Sequence, residues 1–306
     1  MNRYPGPSRR MMLGALACTA AAPLLPGATT ETRMLLCGDD TVYDVRVAGP
    51  PEKPVWQDVR TWVGNQATEI PSADRTKWFR TTDDCKPIDD GRSVLVTSSS
   101  GGVAIYDRAS RKTKFYGFAA NAHSACLLPG GYVVVAASVN ANGNALVLFH
   151  RDQSAKELFR TPLESAHGVV WDEDRKILYA IGMHHVEEYA FEPASLNRPL
   201  RLLKQNRMPS SGGHELSPGP APNLLFASGA DEVFLFNKDT RAFARHPVLG
   251  AMHHVKCISR NPQTGQIAYV KADEGEGVWW SFQVRFLYPG AEAKTPGKRL
   301  YKVRWA

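Results

Sequence analysis

The chain has 306 residues, 43% of them apolar, with 25 glycines and 21 prolines, a composition that suits one large domain with a core and many turns. The formal charge is +7, but Arg3, Arg9 and Arg10 belong to an expected leader, so the mature charge is near +4. No basic run is interleaved with aromatic residues, and no stretch of the mature region could span a bilayer. Neither nucleic-acid binding nor a membrane span is therefore expected.

The N-terminus resembles a twin-arginine export signal. Ser8-Arg9-Arg10-Met-Met-Leu13 precedes an apolar run, rich in small residues, that ends at Leu25. Residues 1–30 are predicted to be this signal, and the mature protein is predicted to be periplasmic or secreted. The stretch Ala15-Leu-Ala-Cys18 matches a lipoprotein processing site only weakly, which favours a soluble product.

Short apolar strands repeat along the mature region. After a first pair of strands near residues 34–38 and 41–45, three units each begin with a histidine: His123, His167 and His214. In each unit a small residue closes the second strand 15 positions later, at Ser138, Gly182 and Gly229. This constant spacing indicates a structural repeat that places one chemical group at a fixed position.

Two further strands complete each unit. Alternating apolar residues predict third strands at 103–106, 145–149, 186–189, 232–236 and 278–282. More polar segments predict fourth strands at 112–116, 155–159, 200–204 and 299–304. Four short strands that recur roughly every 40 to 47 residues are typical of the blades of a β-propeller.

The predicted fold is all-β, a single β-propeller over residues 31–306. Small residues that end the second strands at 38, 99, 138, 182, 229 and 272 predict six four-stranded blades, although seven are also open. The first blade is incomplete at its inner edge. Its inner strand is either absent or supplied by another segment. An inserted segment at about 61–83 lengthens the spacing between the first two blades, and such loops often carry function.

Residues at the start of the first strands should form a ring, because these strands line the axis of a propeller. Counting 15 positions back from Ser99 gives Asp84. In the last unit, one extra residue leads back from Ala272 to Lys256, and three lead back to His254. The predicted ring at the axial funnel contains Asp84, His123, His167, His214 and Lys256.

Three interpretations of this ring remain open. His123, His167 and His214 could hold a divalent metal ion, with Asp84 as a fourth ligand. They could instead act as acid and base. They could also be purely structural, each one fixing a neighbouring blade.

A concrete reaction can be proposed if the ligand is a uronic acid sugar. Elimination across C4 and C5 needs a cation that neutralises the carboxylate, a base for the C5 proton and an acid for the leaving oxygen. The cation could be Lys86, Arg80 or Lys256, and the base could be His123 or His167. Trp78, in the inserted segment, is the best candidate for sugar stacking, whereas Trp279 and Trp280 are expected to pack in the sheet.

Several longer motifs resemble a family of exported bacterial propeller proteins of unknown function. They are Thr82-Asp-Asp-Cys-Lys-Pro87, Asn121-Ala-His-Ser-Ala125, Ser165-Ala-His-Gly-Val-Val-Trp-Asp172 and Gly212-Gly-His-Glu-Leu-Ser-Pro218. The resemblance implies the fold and export but brings no reaction. It also favours Lys256 over His254 as the last member of the ring.

Two classes of function therefore remain. One is an enzyme that acts on a saccharide, with a polysaccharide or oligosaccharide lyase as the most concrete case. The other is a non-catalytic propeller that binds a ligand or protein at its funnel.

The expected partner is a small molecule or saccharide, the expected state is a monomer, and a divalent metal ion is the one cofactor considered. Cys37, Cys85, Cys126 and Cys257 are expected to be buried free thiols.

Overall fold

The strands are apolar on both faces, because each sheet is packed between two others. In the strand Tyr132–Ala137, Val133 and Val135 pack towards the preceding sheet, while Val134 and Ala136 pack towards the following one. This is the alternation of side chains that an extended backbone imposes. A continuous apolar run in such a strand therefore indicates burial on both sides.

The computed structural model describes residues 32–195, 197–295 and 299–306, so the predicted export signal lies outside the described residues. The described strands form six antiparallel sheets of four strands each, which confirms the predicted six-bladed propeller. The strands of the first three blades, from the axis outwards, are β24 (Lys302–Trp305), β1 (Arg33–Gly38), β2 (Thr41–Ala48) and β3 (Val55–Val63); β4 (Thr82–Ile88), β5 (Ser93–Ser98), β6 (Gly102–Asp107) and β7 (Thr113–Phe118); β8 (Ala122–Leu128), β9 (Tyr132–Ala137), β10 (Ala145–His150) and β11 (Phe159–Pro162).

The remaining three blades follow the same order. Their strands are β12 (Gly168–Asp172), β13 (Ile177–Ile181), β14 (His185–Phe191) and β15 (Leu200–Arg207); β16 (Glu215–Pro218), β17 (Leu224–Ser228), β18 (Val233–Asn237) and β19 (Phe243–Arg245); β20 (Val255–Arg260), β21 (Ile267–Lys271), β22 (Gln283–Leu287) and β23 (Ala291–Lys294). Six apolar clusters lie between consecutive blades, one of them between the last blade and the first. The ring is therefore closed.

The C-terminal strand completes the first blade. β24 pairs antiparallel with β1, with Trp305 opposite Met34 and Lys302 opposite Cys37. The missing inner strand is thus supplied by another segment. The assignment of 299–304 as the fourth strand of the last blade is wrong, because β23 fills that position. The third strand of that blade is β22, so the prediction at 278–282 is also displaced.

The segment between the first two blades is partly helical. After β3, residues Gly64–Gln66 form a 3-10 helix and Ser72–Trp78 form the helix α1. Phe79 is fully buried against Gly64 and Gly102, where a side chain in place of either glycine would collide with the ring of Phe79. A second 3-10 turn, Pro129–Gly131, links β8 to β9. No helix in the described ranges is long and apolar enough to cross a membrane.

Candidate functional site

The first strands of all six blades line the axis, and a pocket of about 360 Å³ lies at their N-terminal ends. We refer to it as the upper pocket. Its lining residues are Asp83, Ser99, Asn121, His123, His167, His214, Lys256, Trp279 and Tyr301. The three predicted histidines and Lys256 are thus brought together at one mouth of the propeller.

Local irregularities of the inner strands aim these side chains at the axis. In β4, β8 and β20 the pairing with the second strand skips one residue, which is Asp83, His123 and Lys256 respectively. Such a bulge leaves one residue out of the ladder and redirects its side chain. His167 and His214 lie immediately before β12 and β16, at the same level.

Asp83, and not Asp84, is the acidic member of the upper pocket. The hairpins that follow Asp83 and Lys256 are one residue longer than the hairpin that follows His123, which has the same bulge. Asp83 therefore lies 16 positions before Ser99, as Lys256 lies 16 before Ala272. The Oδ2 atom of Asp83 accepts a hydrogen bond from the backbone N–H of Ser99. Asp84 points into the axis below the pocket, so its predicted place in the ring is wrong by one position.

The three imidazole rings contact one another. The rings of His123 and His167 stack with centroids 4.3 Å apart and planes 18° from parallel, and His214 meets His167 edge-on at 4.8 Å. The Nδ1 atom of His167 lies 2.9 Å from the carbonyl oxygen of Ser165, which can only accept a hydrogen bond. Nδ1 therefore carries the proton, and Nε2 of His167 keeps its lone pair.

Lys256 is the cation of the upper pocket. Its Nζ atom lies 3.0 Å from Nε2 of His214 and donates a hydrogen bond to it, since a neutral imidazole nitrogen can accept one. Burial, reinforced by the nearby charge of Lys302, lowers the pKa of Lys256 to about 8. The amine is therefore mostly charged at neutral pH but can lose its proton just above it.

Burial keeps the other titratable groups of the upper pocket neutral. It raises the pKa of Asp83 to about 8 and lowers that of His123 to about 3, the latter with the help of the charges of Lys302 and Lys256. The pKa values of His167 and His214 are also well below the ordinary value, mainly through burial. At neutral pH the pocket thus presents an ammonium group among neutral hydrogen-bonding groups.

Buried polar atoms without hydrogen-bond partners cluster here. Among the described residues, they include Oδ1 of Asp83, Nδ1 of His123 and Nδ1 of His214. The first two lie 3.3 Å apart but are not aligned for a hydrogen bond. Native proteins seldom leave such atoms unpaired, because each one costs the loss of its hydration. All three residues line the upper pocket, so these unpaired atoms are concentrated at one site.

The described residues of the upper pocket do not form a set of metal ligands. No three His, Cys, Asp or Glu side chains in the described part of the chain converge as a set of metal ligands. The stacked rings of His123 and His167 place their nitrogens in nearly parallel planes, and Nε2 of His214 is occupied by Lys256. Asp84 is engaged elsewhere. The predicted metal set of three histidines and Asp84 is not formed.

A buried charge network fills the axis below the upper pocket. Arg304 donates to both carboxylate oxygens of Asp84 at 2.8 and 2.9 Å and to Glu215 at 2.8 Å. Lys302 lies 3.0 Å from Glu215 and 3.9 Å from Asp84. Burial alone would raise the pKa of Asp84, but the charges of Arg304 and Lys302 hold it well below its usual range. We call these four residues the axial network.

Three predicted ligand contacts lie away from the upper pocket. Lys86 lines a separate cavity at the opposite mouth, beyond the axial network. Trp78, in α1, packs against Phe118 with ring centroids 5.3 Å apart, and exposed Arg80 donates to the carbonyl of Thr76. None of these three side chains is among the described lining residues of the upper pocket.

Two aromatic residues of the upper pocket, Trp279 and Tyr301, were not predicted from the sequence. Trp279 lies in the loop between β21 and β22, and Tyr301 directly precedes β24. The centroids of their rings are 5.5 Å apart. The prediction that Trp279 packs in the sheet is wrong, because Trp279 lines the upper pocket. His254, the alternative to Lys256, is exposed and does not line the pocket.

The profile of a protein family described as a family of unknown function (DUF6528) matches residues 52–306. The chain belongs to this family. No curated protein matches the sequence. The family match agrees with the resemblance to propellers of unknown function noted from the motifs. Export stays a prediction.

One solved structure with a similar fold is that of a "putative 6-phosphogluconolactonase" from Bacteroides uniformis ATCC 8492. It is 14% identical in sequence and has a TM-score of 0.56, and the match covers 86% of this chain and 81% of that one. At this identity the similarity shows the shared propeller fold alone.

Proposed function

We propose that the upper pocket binds an acidic saccharide and that this DUF6528 protein, once exported, acts on it by elimination at a uronate residue. The single observation that supports this most directly is the charge state of the pocket. Lys256 supplies a buried cation, while Asp83 and the three histidines are neutral hydrogen-bonding groups. A sugar carboxylate and its hydroxyls need these two kinds of partner.

The lining residues fit the parts of such a ligand. Lys256 Nζ would pair with the carboxylate, and the unpartnered atoms of Asp83, His123 and His214 would meet hydroxyl groups. Trp279 offers an aromatic face at the rim, a common partner for the apolar face of a sugar ring. Sugar binding would thus satisfy polar groups that are otherwise buried without partners.

The proposed reaction uses two further groups. Nε2 of His167 would take the proton from C5, while its Nδ1–H stays bonded to the carbonyl of Ser165. The C5–H electron pair forms the C4–C5 double bond, the C4–O bond breaks, and the leaving oxygen takes the proton of the neutral Asp83 carboxyl group. Proton exchange with water then restores both side chains.

A non-catalytic ligand-binding propeller is the second candidate. The observation in its favour is the low basicity of the imidazoles, because burial holds the pKa of His123 at about 3 and that of His167 well below neutral. Such groups bind hydroxyls well but accept protons poorly, unless a bound carboxylate raises their pKa. Both candidates use the same pocket, and they differ in turnover.

Calorimetric titration with trigalacturonate tests the binding. We expect a 1:1 complex that is weakened about 10- to 100-fold in the Lys256→Met variant, since a charged hydrogen bond is lost. The matched control is Lys86→Met at the opposite mouth, which should bind like the wild type. If trigalacturonate binds no better than a neutral galactose trimer, the proposal is wrong.

Turnover is measured on the same samples. The unsaturated uronate absorbs in the ultraviolet, and its formation should stop in His167→Gln, a variant that should still bind the sugar. Binding without an absorbance increase in the wild type would reject the lyase reaction and support the non-catalytic candidate.

The affinity for trigalacturonate should also depend on pH. Above pH 8, Lys256 loses its positive charge and Asp83 gains a negative one, because both have pKa values of about 8. Both changes weaken anion binding, so affinity should be constant near neutral pH and fall above about pH 8. Asp83→Asn should bind at neutral pH and show a shallower fall. An affinity that increases with pH would contradict these assignments.

A further inference from the structure

A second cavity opens at the other mouth of the propeller. The C-terminal ends of all six inner strands enclose about 480 Å³, a size typical of small-molecule sites. Its wall is mostly apolar and includes Ile88, Leu127, Val170, Trp171, Pro218 and Trp305. We call it the lower cavity.

A lysine amine lies in this apolar wall. Lys86 Nζ donates to the backbone oxygen of Val169 at 2.7 Å and is 3.8 Å from Asp84, and its side chain is 17% exposed. An ammonium group has three N–H donors, so it can still donate to a molecule in the cavity. Burial lowers the pKa of Lys86, and a bound anion would oppose that shift.

The lower cavity is separate from the upper pocket. The axial network lies between them, and Arg304 of that network reaches the lower cavity while its charge is matched by Asp84 and Glu215. The remaining charged lining residues of the lower cavity, Lys86 and Arg260, are both cationic. Charge complementarity therefore selects an anion, and the apolar wall selects a ligand with an apolar body.

We propose that the lower cavity binds an amphipathic monoanion, a carboxylate or sulfonate carried on an aromatic or medium-length aliphatic body. The anionic group pairs with Lys86, and the apolar body lies against Trp171, Leu127 and Val170. This site is independent of the saccharide proposed for the upper pocket.

Fluorescence titration with 8-anilinonaphthalene-1-sulfonate tests this proposal on the full folded chain. We expect saturable 1:1 binding that is weakened about 10-fold or more in Lys86→Met, because a charge-assisted contact is lost. Trp171→Ala, which removes part of the wall, should weaken it as well. Lys256→Met at the upper mouth is the matched lysine control and should leave it unchanged.

Competition identifies the chemical class. Decanoate should displace the probe, and decanol, which has the same chain without the charge, should displace it far less. Equal affinity of the probe for the wild type, Lys86→Met and Trp171→Ala would overturn the proposal. So would the absence of saturable binding to the wild type, or equal displacement by decanol. Thermal unfolding of each variant establishes that the probe reports on folded protein.

Discussion

Replacing Arg304 with methionine is expected to lower the free energy of unfolding by about 3–5 kcal/mol, the usual cost of removing one partner from a buried ion pair. The guanidinium donates two hydrogen bonds to Asp84 and two to Glu215, and all three groups are buried. Methionine would fill part of the volume, but the nearest cations left to Asp84 would be Lys302 and Lys86, at 3.9 and 3.8 Å. The hydrogen bonds that Asp84 accepts from Ser124 and from the backbone of Cys85 are neutral and would not replace the lost charge. Urea denaturation measures the difference.

Two further variants show whether charge is the cause. The double variant Arg304→Met, Asp84→Asn has no unpaired carboxylate at position 84. Its free energy of unfolding should therefore be higher than that of Arg304→Met alone. Arg92→Met is the surface control, because its pair with Asp90 is 3.5 Å long and the two side chains are 75% and 95% exposed. It should unfold like the wild type. If the double variant is no more stable than Arg304→Met, unpaired charge does not explain the loss.

The repeating part of the fold could be predicted from the sequence because it is local. Within one blade the strands follow one another along the chain, and the spacing of 15 between His123 and Ser138 reflects one β-hairpin of constant length. The same spacing at His167 and His214 placed three histidines at one level of the axis. Hairpin geometry thus predicted three of the nine residues that line the upper pocket. It left Lys256 and His254 both open for a fourth, and the resemblance to the propeller family favoured Lys256.

The other pocket residues and the closure of the first blade depend on features that a constant spacing does not encode. The hairpin after β4 is one residue longer than the hairpin after β8, so the pocket position is Asp83 and not Asp84. The signal was present in the spacing of 16 that Lys256 also requires. Trp279 sits in an irregular loop whose path is set by packing against Tyr301. The partner of β1 lies at the far end of the chain, so no local pattern could reveal it.

Ring closure also explains how one short segment serves both mouths. Tyr301 lines the upper pocket, Lys302 and Arg304 belong to the axial network, and Trp305 lines the lower cavity. Because neighbouring residues of a strand point to opposite sides, each of these roles falls to a different face or level of β24. Both proposed binding sites therefore depend on the docking of this strand.

A chain that ends at Tyr301 is expected to lose its cooperative thermal transition. It lacks β24, so the first blade has an open edge, the last apolar cluster loses Val303 and Trp305, and Asp84 and Glu215 lose both axial cations. Scanning calorimetry and size-exclusion chromatography of the purified protein measure this. A truncated chain that still melts like the full one would show that β24 does not close the ring.

Moving the strand within the chain separates the need for β24 from the need for a C-terminus. Trp305 lies opposite Met34, and the N–H of Ala306 donates to the backbone oxygen of Arg33, so residues 299–306 can precede Arg33 through a two-residue Asn-Gly hairpin turn. This permuted chain, which ends at Thr295, rebuilds the first blade from consecutive strands. It should regain a cooperative transition and bind trigalacturonate like the wild type, because every axial residue returns to its place. Failure of the permutant to fold, alongside a stable truncated chain, would reject closure by β24 as the source of stability.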